Sequence, residues 1–165
     1  AAGPEDCPRI AALYNEGIRG RMATFEAEER TAAERAAWLA GHDERHPVLV
    51  ALSGGDGGTV LGWASLDGYR PRACYAGVAE FSIYVAAEAR GRGVGAILLP
   101  ALIDAAGKVG HWKVLSRVFV ENAASRALCA RCGFREVGVY ERHARLDGQW
   151  RDVVIVERLI AADSA

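Results

Sequence analysis

One stretch constrains this chain more than any other: Glu80-Phe81-Ser82-Ile83-Tyr84-Val85 alternates like a strand, and Ala96 to Ala105 has helical spacing. Between them lies Arg90-Gly91-Arg92-Gly93-Val94-Gly95. Glycines where a strand turns into a helix let the backbone approach a ligand closely. The first-turn N–H groups lack partners within the helix, and the helix dipole favours an anion there. Arg90 and Arg92 add positive charge. The stretch therefore predicts a phosphate-binding turn with a carboxylate, Glu80, nearby.

Phosphate motifs differ in the residues that come after their glycines. A Walker A loop needs Gly-Lys-Ser/Thr, and here Gly95 precedes Ala96 and Ile97. The dinucleotide fingerprint is formally met by Gly91, Gly93 and Ala96. It should open the first βαβ unit and carry an acid about 20 residues on, whereas that region reads His111-Trp112-Lys113-Val114. The third pattern, R/Q-x-x-G-x-G/A, resembles the pyrophosphate loop of the GCN5-related N-acetyltransferases, a family that uses acetyl-CoA. A second stretch, from Asn122 and Ser125 to Gly133-Phe134, resembles that family's other signature.

The resemblance covers about Pro4 to Ile160. It is nearest to the branch that acetylates phosphinothricin, methionine sulfoximine and arsinothricin, on Tyr14-Asn15, Thr24-Phe25, Gly68-Tyr69-Arg70-Pro71-Arg72, Ala79 to Val85, Asn122, Ser125 and Trp150-Arg151-Asp152-Val153. It implies an α/β fold: a central mixed, mostly antiparallel sheet, helices on both faces, and a strand pair that splays at the acetyl-CoA site. It also implies Glu80 as general base, and Tyr84, Val85, Arg90, Gly91, Arg92, Gly93, Val94, Gly95, Asn122 and Ser125 as the acetyl-CoA site. Asn122 equally suits a helix N-cap. Cys129 stands where many members place the tyrosine or histidine that protonates the leaving thiolate, and Asp147 where close relatives carry a histidine. A thiol's pKa of about 8.5 lies near that of the CoA thiol, so Cys129 is either that acid or a small core residue.

For the acceptor, Arg70 and Arg72 flank Pro71 shortly before Glu80, and a guanidinium suits a carboxylate or a tetrahedral oxyanion. Phe25, Tyr69 and Tyr75 are further candidates for the pocket. The expected reaction moves acetyl from acetyl-CoA to the α-amine of a small amino-acid-like acceptor, a detoxifying step. The alternatives are a protein N-terminal or lysine acetyltransferase and a non-catalytic acyl-CoA-binding module. The resemblance also implies a homodimer.

At 165 residues the chain fits a single domain, 1–165. Twenty basic against 21 acidic side chains give a net charge of −1, which argues against a nucleic-acid footprint. No apolar run approaches the ~20 residues of a membrane span and no signal pattern opens the chain, so a cytoplasmic location is expected. Cys129-Ala130-Arg131-Cys132 has no second Cys/His pair at zinc spacing, and no metal is expected. The family places a strand and its initiating Met before the first helix. Neither is seen here, which fits a chain trimmed at its N-terminus.

The expected order is a helix from Pro4 with Ile10, Leu13 and Ile18 inward, a second from Thr31 to about His42, and strands at 48–52 and 59–66. The phosphate strand and helix come next, with Ile97, Leu98, Ala101, Leu102 and Ala105 on one helix face. A strand at 113–120, a helix from Asn122 to Gly133, and strands at 134–140 and 152–159 complete the order. The last two are joined by a long connection, Glu141 to Arg151, with a turn at Asp147-Gly148.

Overall fold

The structure, a computed structural model, describes residues 1–54 and 57–160. Gly55 and Asp56, inside the expected 53–58 turn, lie outside the described residues.

Pro4–Asp6 forms a single 3₁₀ turn, and helix α1 runs over Cys7–Gly20, burying Ile10, Leu13, Gly17 and Ile18. It ends where Arg21 turns left-handed, at φ 54°. Helix α2, Ala32–Ala40, starts with the reciprocal cap its sequence implies: Glu34 N–H donates to Thr31 Oγ1 at 3.2 Å and Thr31 N–H to Glu34 Oε2 at 2.7 Å. Strands β1 (Val48–Leu52), β2 (Val60–Gly68) and β3 (Val78–Val85) form an antiparallel meander.

Helix α3 (Val94–Lys108), strand β4 (Lys113–Phe119) and helix α4 (Ala123–Arg131) come next, and β5 (Arg135–Leu146) and β6 (Gln149–Leu159) close the chain. Among the described residues the sheet has six strands in the order β1-β2-β3-β4-β6-β5, with β3 and β4 its one parallel pair. Parallel strands need a crossover, and the glycine loop and α3 supply it.

Helices cover both faces. On one, Leu98, Leu99, Leu102, Ile103 and Ala106 of α3 and Cys129 of α4 pack against Ala64, Leu66, Phe81, Val114 and Val154. On the other, Ile10 and Leu13 of α1 meet Val60 and Trp63. A third cluster joins Phe119, Leu146 and Val153, with Phe25 from the α1–α2 segment packed on it.

Two expectations change. The buried face of α3 is rotated from the expected set, because Ile97 is 73% exposed while Leu99, Ile103 and Ala106 are buried. The final connection is not a loop either: β5 and β6 run on to a two-residue turn at Asp147-Gly148, where both residues have positive φ. Sequence alternation fails there because β5 bulges. Between Tyr140↔Val153 and Ala144↔Arg151, Glu141, Arg142 and His143 stand opposite Asp152 alone. Arg142 sits at φ 48°, and its N–H donates to Asp152 Oδ1 at 2.7 Å.

Candidate active site

Alternation along β3 decides which side chains meet. Ala79 and Phe81 enter the α3-side core, so Glu80, Ser82 and Tyr84 project to the face that carries α1. Their β2 partners in register are Asp67, Ser65 and Trp63. Strands β3 and β4 pair only at Val78↔Lys113, Ala79↔Val114 and Glu80↔Leu115. Beyond Glu80 they separate, and the space between them opens into a cavity of about 450 Å³.

Glu80 lines that cavity with Phe25, Ser82, Tyr84, Arg117, Phe119 and His143. The Arg117 guanidinium donates to Glu80 Oε2, and the Glu80 side chain is 23% exposed. Tyr84 stacks on Trp63 at 4.7 Å and meets Tyr14 edge-on at 5.1 Å. Burial, then the neighbouring Tyr14, pushes its phenol well above the usual range, so it stays neutral. Phe25 is fixed against Phe119, 4.7 Å between centroids. Its segment is clamped by Asn15, whose side chain donates to Arg30 O at 2.9 Å and accepts from Arg30 N–H at 2.8 Å.

Sequence reasoning missed several contributors to the wall, among them Arg35, Arg117, His143 and Asp67. Arg35 is 8% exposed, and its Cζ lies 3.7 Å from the Tyr14 ring centroid, 5.0 Å from that of Trp38 and 5.9 Å from that of Trp63. Such cation–π contacts stabilise by about 0.5–2 kcal/mol, which offsets only part of the cost of burying a charge. Trp38 three residues on, sharing the buried face of α2, was the available signal.

The glycine loop continues from β3, which lines this cavity as far as Tyr84. Gly91 and Gly93 have φ of 72° and 86°, and a Cβ at either would meet nothing within 4 Å, so their role is conformational. Gly93 is the N-cap of α3. Gly95 differs: its Cβ would meet Leu128 Cδ2 at 2.9 Å, so it permits α3 and α4 to pack. Arg90 Nε donates back to Val85 O at 3.2 Å. A Glu16 oxygen accepts from Ala87 N–H at 3.0 Å, and Arg9 pairs with Glu88. Asn122 caps α4, accepting from Ser125 N–H at 3.0 Å, while its Nδ2 donates to Met22 O at 2.8 Å. Two left-handed glycines, an α3 N-terminus and flanking arginines fit a pyrophosphate.

The family model for "Acetyltransferase (GNAT) family" matches residues 10–134, spanning β3, the glycine loop and α4. The chain belongs to the GNAT acetyltransferase family. A phosphinothricin N-acetyltransferase of Streptomyces coelicolor is 36% identical over 155 residues, 93% of this chain and 91% of the relative. An L-methionine sulfoximine/L-methionine sulfone acetyltransferase of Pseudomonas paraeruginosa is 34% identical over 157 residues, 94% and 90% of the two chains. The crystal structure of a GNAT superfamily phosphinothricin acetyltransferase from Sinorhizobium meliloti in complex with acetyl-CoA superposes with TM-score 0.87 at 28% identity. It covers 99% of this chain and 88% of that one.

As a GNAT enzyme the chain is an N-acetyltransferase with acetyl-CoA as co-substrate. Several residues expected at its site stand elsewhere. Cys129 is 2% exposed, inside the α3-side core with Phe81 and Leu98, and burial, then Cys132, pushes its thiol up to about 12. Asp147 does not line the cavity; it pairs with Arg21 at 2.9 Å. Tyr69, Arg70, Arg72 and Tyr75 are also absent from the wall. Tyr69 and Tyr75 pack edge-on at 5.5 Å, with Arg70 Cζ 5.1 Å from the Tyr69 centroid. Among the described residues no cluster of three metal-ligating side chains occurs, and no helix is long and apolar enough to cross a membrane.

Proposed function

We propose that this GNAT enzyme acetylates the α-amine of a small amino-acid-like acceptor of the phosphinothricin or methionine sulfoximine type. The observation that carries the reading is Glu80 projecting into a cavity of about 450 Å³ at the point where β3 and β4 part. That volume is within the range of small-molecule pockets, about 300–1,000 Å³. The relatives of similar length named for such acceptors support the same reading.

In this reading Gly91, Gly93, Val94 and Gly95 at the start of α3, with Arg90 and Arg92, hold the pyrophosphate of acetyl-CoA, which supplies a thioester acetyl group. Asn122 and Ser125 face its pantetheine arm, and backbone at Tyr84 and Val85 polarises the carbonyl. Glu80 takes a proton from the acceptor's ammonium, directly or through one water. The nitrogen lone pair then forms the N–C bond as the C–S bond breaks and thiolate leaves; the second N–H proton goes to solvent. Arg117 orients Glu80, and Phe25 and Tyr84 line the acceptor's path. Cys129 takes no part, because a thiol held near 12 inside the core neither reaches nor protonates a thiolate of ordinary pKa. Tyr69, Arg70, Arg72 and Tyr75 contribute from outside the cavity wall. Acetylation removes the amine's charge, which would disarm an amino-acid-like inhibitor.

A homodimer joined along β5 belongs to the same proposal. This strand is a sheet edge, and Val137, Val139 and Tyr140 on it are each about half exposed, as is Trp150 opposite. An exposed apolar edge strand is a template for pairing with another chain. Sedimentation of the wild type against Val139→Lys is expected to show dimer and monomer respectively; a monomeric wild type would end this part.

The deciding experiment monitors CoA thiol release with L-phosphinothricin and L-methionine sulfoximine against an N-terminal peptide and a polyamine. Saturable turnover on the first pair, abolished in Glu80→Gln with acetyl-CoA binding kept, is expected. Turnover on the peptide or polyamine alone would refute the acceptor; no turnover with acetyl-CoA still bound would favour a non-catalytic module.

A further inference from the structure

The wall of the acceptor cavity holds one buried cation, Arg35, that no carboxylate neutralises among the described residues. Each carboxylate on that wall has a partner of its own: Glu80 has Arg117, Glu26 has Arg30, and Asp67 accepts from Ser65 Oγ and faces His42 Nε2 at 3.4 Å. Arg35 has none. Among the described residues no carboxylate lies within ion-pair distance of its guanidinium, no hydrogen bond engages its side chain, and its buried Nε is unpartnered.

The surroundings explain how the charge is held. The guanidinium lies over the Tyr14 ring with Trp38 and Trp63 further out, contacts that occupy its face. A guanidinium donates from its edge, in the plane of the group, and Arg35 lines the cavity with no hydrogen bond to its side chain among the described residues. A planar fork of this kind matches a carboxylate in bidentate fashion. Arg35 is thus a preformed anion receptor that the folded chain leaves unfilled, on the wall that also carries Glu80.

The geometry points to Arg35 as the group that receives the acceptor's α-carboxylate and so selects amino acids over simple amines. The inference rests on the small-acceptor reading above, and it assigns to a helix residue the task that the sequence suggested for Arg70 and Arg72. Glu80 then handles the amine, Arg35 the carboxylate on the neighbouring carbon, and the acceptor's far end selects among analogues.

The test compares kcat/KM for L-methionine sulfone, whose only anionic group is its α-carboxylate, with that for its primary amide, in the wild type, Arg35→Met and Arg35→Lys. L-phosphinothricin, which has a second anion at its far end, is the third acceptor. The wild type is expected to favour the acid over the amide by about tenfold or more, as for loss of a charge-assisted partner. In Arg35→Met that preference should fall to within about twofold, with the KM for acetyl-CoA and the melting temperature kept, and Arg35→Lys should restore part of it.

An acid-to-amide ratio near one in the wild type, or one unchanged in Arg35→Met, would overturn the assignment while leaving the acceptor class standing. So would a much larger loss for phosphinothricin than for the sulfone, since Arg35 would then read the far end. If Arg35→Met fails to fold, the wild-type ratio and Arg35→Lys decide. Absence of wild-type turnover on every amino-acid acceptor would overturn the small-acceptor reading and this inference together.

Discussion

Arg117 on β4 donates to Glu80 on β3 at the first position beyond which those strands no longer pair. The ion pair spans the mouth of the opening, so the carboxylate is positioned by the strand that diverges from it. Glu80→Gln is expected to lower kcat by about 10²–10⁴, the usual contribution of a positioned base. Arg117→Met keeps the carboxylate and loses its orientation. Its kcat should fall by about tenfold, with acetyl-CoA binding unchanged; steady-state kinetics with a direct acetyl-CoA titration checks both.

Gly93 tests the phosphate loop. Its φ of 86° with nothing within 4 Å of an added Cβ leaves backbone conformation as the only obstacle to a side chain. Gly93→Ala should cost about 1–2 kcal/mol of stability and raise the KM for acetyl-CoA. Urea unfolding and initial rates measure the two effects, and an unchanged midpoint would contradict the conformational account.

Cys129 makes stability fall on the alkaline side. Above its ordinary pKa of about 8.5 the thiol ionises in the unfolded chain, whereas burial keeps it protonated in the fold until about 12. The raised pKa therefore contributes stability that is complete below pH ~8.5 and is lost as pH climbs through that window, by at most about 1.4 kcal/mol per pH unit. Cys7 and Cys132 are raised by burial as well, so slopes are the quantity to compare. Denaturation between pH 8 and 11 should show a shallower decline in Cys129→Ala than in the wild type.

Asp152 holds the β5 bulge through Arg142 N–H, and that bulge carries His143 to the cavity wall. Asp152→Asn keeps an acceptor oxygen and should behave nearly as the wild type. Asp152→Ala leaves the strained Arg142 unsupported, with a cost of about 1 kcal/mol and a higher KM for the acceptor. Equal behaviour of the two variants would show that the bond does not set the bulge.

The strand, glycine turn and helix of residues 80–105, and the order of the elements around them, were legible in the sequence because each rests on local rules: alternation, glycine in left-handed turns, and capping at Thr31 and Asn122. Arg35 was not. An arginine one residue after Glu34 in an alanine-rich helix reads as surface, and only the packing of α2 on Tyr14 and Trp63 buries it. His143 was hidden for a related reason. It lies inside the bulge, where three residues of β5 stand opposite Asp152 alone, and simple alternation does not say which way each of those three points. Cys129 shows the reverse case, a position meaningful by resemblance whose surroundings here are apolar.

Helix α1 touches both halves of the site within three turns. Tyr14 lines the acceptor cavity beneath Arg35, Gly17 leaves room for Tyr84, and Glu16 and Arg9 hold Ala87 and Glu88 just ahead of the glycine loop. One helix thus touches both the cavity wall and the segment ahead of the glycine loop. On the proposed assignment of the two seats, tailoring acceptor choice through α1 would carry a penalty in coenzyme recognition. Positions 25 and 143, borne by an inter-helix segment and a strand irregularity, can vary with the coenzyme seat left intact, and diversification among enzymes of this design should concentrate there.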